Sequence, residues 1–248
     1  DIAEQLDKVV IILNPILNPD GHDRFANWTN NHAGLNPSTD PNDREHREPG
    51  PTGRTNYYWF DLNRDWLPHQ HPESQGRLKV FHRWKPNVQL DFHEMGRNST
   101  YFFMPGIPGR VNPLTPSINQ KLTAKISEYH ARAFDRDGAS YYTEETFDDF
   151  YVGKGSTYPD LFGCVGILFE QASARGVHQE TVNGLLTFKT ALPNQFRASL
   201  SSLEATAALR AELLTYQRDF YAKNRDRGYY LATADDSTRL HQFVRLLR

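Results

Sequence analysis

Three short apolar runs constrain the fold of this chain more than any other feature of its sequence. They occupy residues 8–13 (KVVIIL), 88–92 (VQLDF) and 164–169 (CVGILF). Runs of this length that are wholly or mainly apolar predict buried strands, which are typical of sheets covered by helices. We therefore predict an α/β fold, with a mixed, mostly parallel twisted sheet flanked by helices.

Longer segments between and after these runs have helical periodicity. Residues 74–84 and 115–134 are predicted helices, and the Asp137-Gly138 pair ends the second. A long amphipathic helix is predicted from residue 196, after Pro193, to about residue 221. Residues 22–58 are rich in Asn, Pro, Asp and Gly and lack periodicity. We expect them to form an irregular excursion over a functional site.

The composition fits one large domain followed by the beginning of another. The chain has 248 residues, 38% hydrophobic and 23% charged, with a single cysteine and a formal net charge of -2. A nearly neutral chain with scattered Lys and Arg is not expected to bind nucleic acid, and no apolar run approaches the roughly 18 residues of a membrane span. After a break at residues 225–228, residues 229–234 read as a strand, followed by a cap at 235–237 and a helix. We predict one domain at 1–227 and the start of a second α/β domain, cut off, at 228–248.

Side chains suited to catalysis or binding follow the apolar runs. His93 and Glu170 each come directly after a predicted strand, and Asn63 and Arg64 also follow an apolar segment. Because ligands usually bind beyond the carboxyl ends of strands in an open α/β sheet, these residues can converge on one crevice. Arg offers a rigid fork for a carboxylate, and a Glu leaving a buried strand should have a raised pKa, which suits a general base. The combination suggests hydrolysis of a substrate that ends in a carboxylate.

An ordered series of short motifs resembles the zinc carboxypeptidase family, whose best-known example is pancreatic carboxypeptidase A. The motifs are Asn18-Pro-Asp-Gly21, Gly53-Arg-Thr-Asn56, Asp61-Leu-Asn-Arg-Asp-Trp66, Pro72-Glu-Ser74, Asp91-Phe-His93 and Ile167-Leu-Phe-Glu170. They cover roughly residues 8–175. The resemblance implies a zinc-dependent hydrolase that removes C-terminal residues from peptides, with a substrate bearing a free C-terminal carboxylate.

The resemblance also implies roles for individual residues. Asn63 and Arg64 would grip the C-terminal carboxylate of the peptide. Arg54 would polarise the scissile carbonyl, and Glu170 would be the general base and acid for the attacking water. His93 would be the third zinc ligand.

A mobile tyrosine closes over the substrate in this family. Tyr151 is the best match here, although its alignment is one residue loose, and Tyr142 and Tyr158 are the alternatives.

The other two zinc ligands of the family come from a His-x-x-Glu motif that precedes the Asn-Pro-Asp-Gly loop. The chain does not contain this spacing. We expect both ligands upstream of Asp1, in a chain truncated at both ends, so that the site is incomplete here. The cluster of His69, His71 and Glu73 is an alternative metal site, but Pro72-Glu-Ser74 matches a structural segment of the family. Relatives of this type are commonly exported, which favours a periplasmic or secreted protein.

Several of these residues also have purely structural interpretations. Arg64 could pair with Asp61 or Asp65, and Glu170 could be a buried acid paired with Arg175. The aromatic runs at 57–60 and 101–103 are expected in the core and the pocket wall.

Two other functions remain open from the sequence. One is amide hydrolysis on a cell-wall peptide or an acyl amino acid, and the other is a metal-free carboxylate-binding module.

Overall fold

A three-stranded mixed sheet forms the centre of the computed structural model, which describes residues 3–223 and 236–247. Strand β1 (Val88–Met95) runs parallel to β3 (Val165–Ala172), and β2 (Tyr101–Phe103) pairs antiparallel with the other edge of β3. Strands β4 (His178–Thr181) and β5 (Gly184–Thr187) form a separate hairpin. The prediction of an α/β fold with a mixed sheet is confirmed.

Seven helices accompany these strands in the described ranges. They are α1 (Ala3–Leu6), α2 (Pro19–His32), α3 (Pro72–Trp84), α4 (Ser117–Arg136), α5 (Phe188–Ala208), α6 (Arg210–Lys223) and α7 (Ser237–Leu247). None of the helices in these ranges is long and apolar enough to cross a membrane.

The core lies between the sheet and helices α4, α5 and α6. Every residue of β3 from Val165 to Phe169 is buried, as a continuous apolar run predicts. The run at 101–103 forms β2 and is buried as expected. The other aromatic run, at 57–60, is exposed and does not belong to the core.

Residues 8–13 do not form the predicted buried strand. Val10 and Leu13 are 77% and 81% exposed, and no strand in the described part of the chain pairs with this segment. An apolar run can be buried only where another element covers it, and no described element does so here. The prediction was wrong because the sequence pattern does not identify a partner.

A helix occupies the first part of the segment predicted to be irregular. Helix α2 begins after Asn18, whose side-chain oxygen accepts a hydrogen bond from the Gly21 amide at 3.0 Å, and Pro19 fills the first helical turn. Asn before Pro is therefore a helix cap here rather than a turn. The segment beyond residue 32 is irregular apart from a short 3-10 turn at Arg44–His46.

The long C-terminal helix is divided and buries a different face from the predicted one. Helix α5 begins at Phe188, because Thr187 and Thr190 form a capping box, and it contains Pro193. Phe196, expected on the apolar face, is exposed. The buried face consists of the small residues Ala191, Ala198, Ser201, Ser202 and Ala205. Small side chains let α5 approach α4 closely, and His130 of α4 is 2.8 Å from the Ser201 hydroxyl.

The remaining helix predictions are confirmed within a few residues. Helices α3 and α4 match the predicted segments, and α4 ends at Asp137 and Gly138, where Gly138 has a φ of 65°. Helix α7 is capped by Asp236, whose carboxylate accepts from the Arg239 amide at 2.8 Å. The predicted strand at 229–234 lies outside the described residues. The proposed domain boundary therefore stays a prediction.

Candidate active site

The parallel pairing of β1 and β3 places His93 beside Glu170. The two residues are register partners in the last third of each strand, so both lie near the same end of the sheet. A 3-10 turn at Leu62–Arg64 brings Asn63 to this end, and the side chain of Asp61 caps the turn by accepting from the Asn63 amide at 2.9 Å. The structure therefore brings together residues from three separate segments.

A buried carboxylate holds the imidazole of His93. The Asp91 Oδ1 lies 2.8 Å from the His93 Nε2, and the Asn63 Nδ2 donates to the Asp91 Oδ2 at 3.3 Å. The Asn63 Nδ2 is also 3.0 Å from the His93 Nε2. Because the carboxylate is an acceptor for both nitrogens, we assign the proton of His93 to Nε2.

The charges of this pair shift both pKa values. Burial by itself would raise the pKa of Asp91, but the charge and hydrogen bond of His93 lower it overall, with help from Asn63 and Arg77. Burial would lower the pKa of His93, and the charge and hydrogen bond of Asp91 raise it overall. Both shifts favour an ion pair.

The described residues do not form a complete zinc site. With Nε2 turned to Asp91, the neutral form of His93 can offer Nδ1 to a metal, whereas the ion-paired form carries a proton on both ring nitrogens. A carboxylate behind the imidazole is the usual partner of a metal-binding histidine. A catalytic zinc ion needs three protein ligands, however, and no group of three His, Cys, Asp or Glu side chains in residues 3–223 and 236–247 could hold a metal ion. The alternative cluster of His69, His71 and Glu73 is likewise not such a group in these ranges.

Asn63 is engaged at both ends of its amide. Its Oδ1 accepts from the Gly155 amide at 2.8 Å, while its Nδ2 contacts Asp91 and His93. A Cβ at Gly155 would lie 2.7 Å from the Asp91 Oδ2, so only glycine allows the approach of this loop. Asn63 thus links the loop around Gly155 to the strand that carries His93.

The two predicted arginines differ in their surroundings. The guanidinium of Arg54 is paired with the Asp61 carboxylate at 3.0 Å. Arg64 is exposed and donates to the Asn63 carbonyl at 2.9 Å, without an ion pair to Asp61 or Asp65. The structural interpretation of Arg64 as an ion-pair residue was therefore wrong, and its outer face is open to an anion.

Glu170 forms no salt bridge with another described residue and projects from a buried strand. Burial raises its pKa to about 7, with His93 and Arg54 lowering it and Asp91 raising it further. The raised pKa expected from the sequence is confirmed. Arg175, the alternative partner, pairs instead with Glu48 at 3.0 Å, so Glu170 is not the ion-paired acid of the structural interpretation.

Tyr151 is the candidate tyrosine that reaches a predicted site residue. Its hydroxyl donates to the Arg64 carbonyl at 3.3 Å, and its side chain is exposed. The hydroxyls of the alternatives lie elsewhere, that of Tyr158 beside His82 at 2.9 Å and that of Tyr142 beside the Met95 sulfur at 3.2 Å.

Three contributors to this site, Asp91, Gly155 and Gln195, were not predicted from the sequence. Asp91 and His93 stand two residues apart on one strand and therefore on one face, which was a readable signal. Gly155 had no such signal, because its close approach depends on the path of a loop. Gln195 of α5 donates to the His93 carbonyl at 3.1 Å and accepts from the Tyr101 hydroxyl at 2.7 Å, a contact that only the packing of α5 creates.

Two solved structures that resemble the chain are metallo-carboxypeptidases. The one from Burkholderia cenocepacia has 18% sequence identity and a TM-score of 0.45, with 73% of this chain and 44% of that chain covered. The one from Pseudomonas aeruginosa, in complex with (2-guanidinoethylmercapto)succinic acid, has 17% identity and a TM-score of 0.47, with 65% and 43% covered. The chain thus spans less than half the length of these structures.

The curated proteins contain no significant match to the sequence. The sequence model of the zinc carboxypeptidase family, in contrast, matches residues 1–159, a segment that includes Arg54, Asn63, Arg64 and His93. Because this match covers more than half of the chain, the chain belongs to the zinc carboxypeptidase family.

Proposed function

We propose that this chain forms the substrate-carboxylate and proton-transfer part of a metallocarboxypeptidase, a hydrolase that removes residues from the free C-terminus of peptides. The observation that carries the proposal is the parallel register that places Glu170 beside His93, whose Nε2 is turned to Asp91. Membership of the family favours this function over an amidase for cell-wall or acyl amino acid substrates and over a metal-free binding module.

Glu170 supports the proton transfers of hydrolysis. Its pKa of about 7 means that the carboxylate and the acid coexist near neutral pH. A group with this pKa can take a proton from water and later deliver it to the departing amine, which is the role of a general base and acid. We assign His93, through Nδ1, as one zinc ligand, and a bound zinc ion would polarise the scissile carbonyl.

Arg64 and Arg54 supply the positive charge that a substrate carboxylate and a developing oxyanion require. Arg64 is exposed and has no carboxylate partner among the described residues, so its fork can take the C-terminal carboxylate in a bidentate manner. Arg54 shares its charge with Asp61, and we assign it to the scissile carbonyl. Asn63 can reach the same carboxylate only by giving up its contact with Asp91, whereas Tyr151 already lies against Arg64.

Binding of a small acid tests this assignment in the chain as it stands. An N-acetylated dipeptide with a free carboxylate and its C-terminal amide should be compared by isothermal titration calorimetry. We expect the acid to bind at least about tenfold more tightly, since a hydrogen bond to a charged group contributes about 1.5–3 kcal/mol. R64A should remove the difference, and R83A, at an exposed arginine of α3, should retain it.

Equal binding of the acid and the amide by the unmodified chain would contradict the proposed carboxylate site. The same conclusion would follow if R83A and R64A lowered the affinity for the acid to the same extent.

A further inference from the structure

A loop of exposed aromatic residues adjoins the candidate active site and has no role in the function proposed above. We call residues 55–60 the aromatic loop. Tyr57, Tyr58 and Trp59 are 72%, 71% and 70% exposed. Single exposed apolar residues are ordinary, but three adjacent large rings in water form a patch of the kind that marks an interaction site.

The backbone of the aromatic loop is fixed from inside. Asn56 is fully buried, and its Oδ1 accepts from the amides of Tyr58 and Phe60 at 3.0 Å each. Its own amide donates to the Phe60 carbonyl, and its carbonyl accepts from the Trp59 amide, both at 3.0 Å. Arg24 adds bonds to the carbonyls of Thr55 and Asn56. A backbone held in this way need not be ordered when a ligand binds, which lowers the entropy lost on binding.

Trp59 has a backbone conformation that disfavours its side chain. Its φ of 63° lies in the left-handed region, where Gly or Asn is far less strained than a bulky residue. Burial of the Trp59 ring does not offset this backbone strain, because most of the ring surface is exposed. Strain of this kind is typical of residues retained for function rather than for packing.

Both ends of the aromatic loop lie at one ion pair of the site. The loop follows Arg54 and precedes Asp61, and the guanidinium of Arg54 is 3.0 Å from the Asp61 carboxylate. This pair closes the base of the loop. A peptide whose terminal carboxylate is held at Arg64 extends by about 3.3 Å per residue, and we expect the residues just before its scissile bond to lie towards the loop.

We propose that the aromatic loop is a subsite for large apolar or aromatic side chains on the N-terminal side of the cleaved bond. This subsite rests on the proposed carboxypeptidase function, because the same peptide must occupy Arg64 and the loop. Tyr and Trp rings offer apolar faces that pair with other rings, and their polar edges tolerate water when no substrate is bound. The continuity of the loop with the Arg54 ion pair favours a peptide as the occupant.

The test uses the full chain and three ligands with free carboxylates. The first is the N-acetylated dipeptide, the second is an N-acetylated tetrapeptide with Phe as the third residue from its C-terminus, and the third has Ala at that position. We expect the Phe peptide to bind about fivefold more tightly than the Ala peptide, the size of one aromatic pair. W59G should remove this preference and leave the dipeptide affinity unchanged, since glycine accepts the φ of residue 59 without strain.

Two further variants make the result specific. Y58S removes a second ring without changing Trp59, and it should reduce the preference for Phe. W84Q replaces another exposed tryptophan, 53% exposed at the end of α3, and it should keep the full preference.

The outcomes separate the subsite from the carboxylate site. If the free acid binds more tightly than its amide but the Phe and Ala peptides bind equally, the subsite is overturned and the proposed function stands. If W84Q loses the preference as W59G does, the subsite is also overturned. Binding of a chitooligosaccharide that W59G abolishes, without any preference for Phe, would replace the peptide subsite by a glycan site. Failure of all three peptides to bind would overturn both the subsite and the proposed function.

Discussion

Replacement of Glu170 by Gln should stabilise the metal-free protein in a manner that depends on pH. The ordinary pKa of this side chain is 4.5, and burial raises it to about 7 in the folded protein. Between these values the folded state binds more protons than the unfolded state, so stability falls as the pH rises. The gap between the two pKa values corresponds to a decrease of about 3 kcal/mol in the free energy of unfolding. This decrease is complete above about pH 7 and does not occur below about pH 4.5. Because Gln does not ionise, E170Q escapes this loss.

Urea unfolding with a chelator present measures the effect through tryptophan fluorescence. The free energy of unfolding of E170Q should equal that of the unmodified protein near pH 4.5 and exceed it by about 3 kcal/mol near pH 8. The matched control is E128Q, at an exposed position of α4, which should show no comparable trend. A difference between E170Q and the unmodified protein that stays constant with pH, or that shrinks as the pH rises, would refute the reasoning.

Further substitutions test how the site is packed and charged, each in chelator-treated protein. In G155A the new Cβ would lie 2.7 Å from the Asp91 Oδ2 and 3.0 Å from the Trp66 Nε1, and we expect a loss of about 1–3 kcal/mol in unfolding free energy. G76A, on the exposed side of α3 with no atom within 4 Å of the new Cβ, should instead gain up to about 1 kcal/mol. If G155A and G76A changed the unfolding free energy equally, close packing at Gly155 would be excluded as the cause. D91N should cost about 3–5 kcal/mol, because it leaves His93 buried beside a neutral amide. The pKa of His93, followed by NMR, should fall in D91N. An unchanged pKa would show that Asp91 does not stabilise the protonated form of His93.

The sheet and the two residues at its end could be predicted because their signal is local. The run that becomes β3 is buried over its apolar length, and the runs at 88–92 and 164–169 each lead directly to a polar residue. Strand β1 does not have the predicted burial, because Asp91 is its one buried residue. Residues that follow the strands of an open α/β sheet lie at one end, so the convergence of His93 and Glu170 was expected, whereas their side-by-side register depends on the observed pairing of β1 with β3. Glu170 also needed no partner to be identified, since its burial is enough to raise its pKa.

The errors arise where the outcome depends on what another segment covers. Residues 8–13 have the composition of a buried strand, but nothing in that composition says which element will pack on them. In α5, both Phe196 and Ala198 recur at helical spacing with apolar neighbours. Close packing against α4 buries the face with the small residues. Periodicity alone does not tell which of the two faces is buried.

Contacts made by loops and by distant helices could not be inferred from the sequence. The bond from Asn63 to the Gly155 amide depends on the course of a loop without periodicity. The bond from Gln195 to the His93 carbonyl depends on how α5 lies on the sheet. Asp91 was different, since its position two residues before His93 on a strand fixes the face that it shares with the imidazole.

The pairing of β1 with β3 also has a consequence for the order of folding. Val88 faces Val165 across the sheet, and the intervening chain contains β2 and all of α4. Such a distant parallel contact must overcome a large loop-closure entropy, and contacts of this kind slow folding. We therefore expect the contact between His93 and Glu170 to form late in folding, when the chain returns to the sheet. Hydrogen exchange at their backbone amides should report the opening of the whole sheet rather than the fraying of one strand.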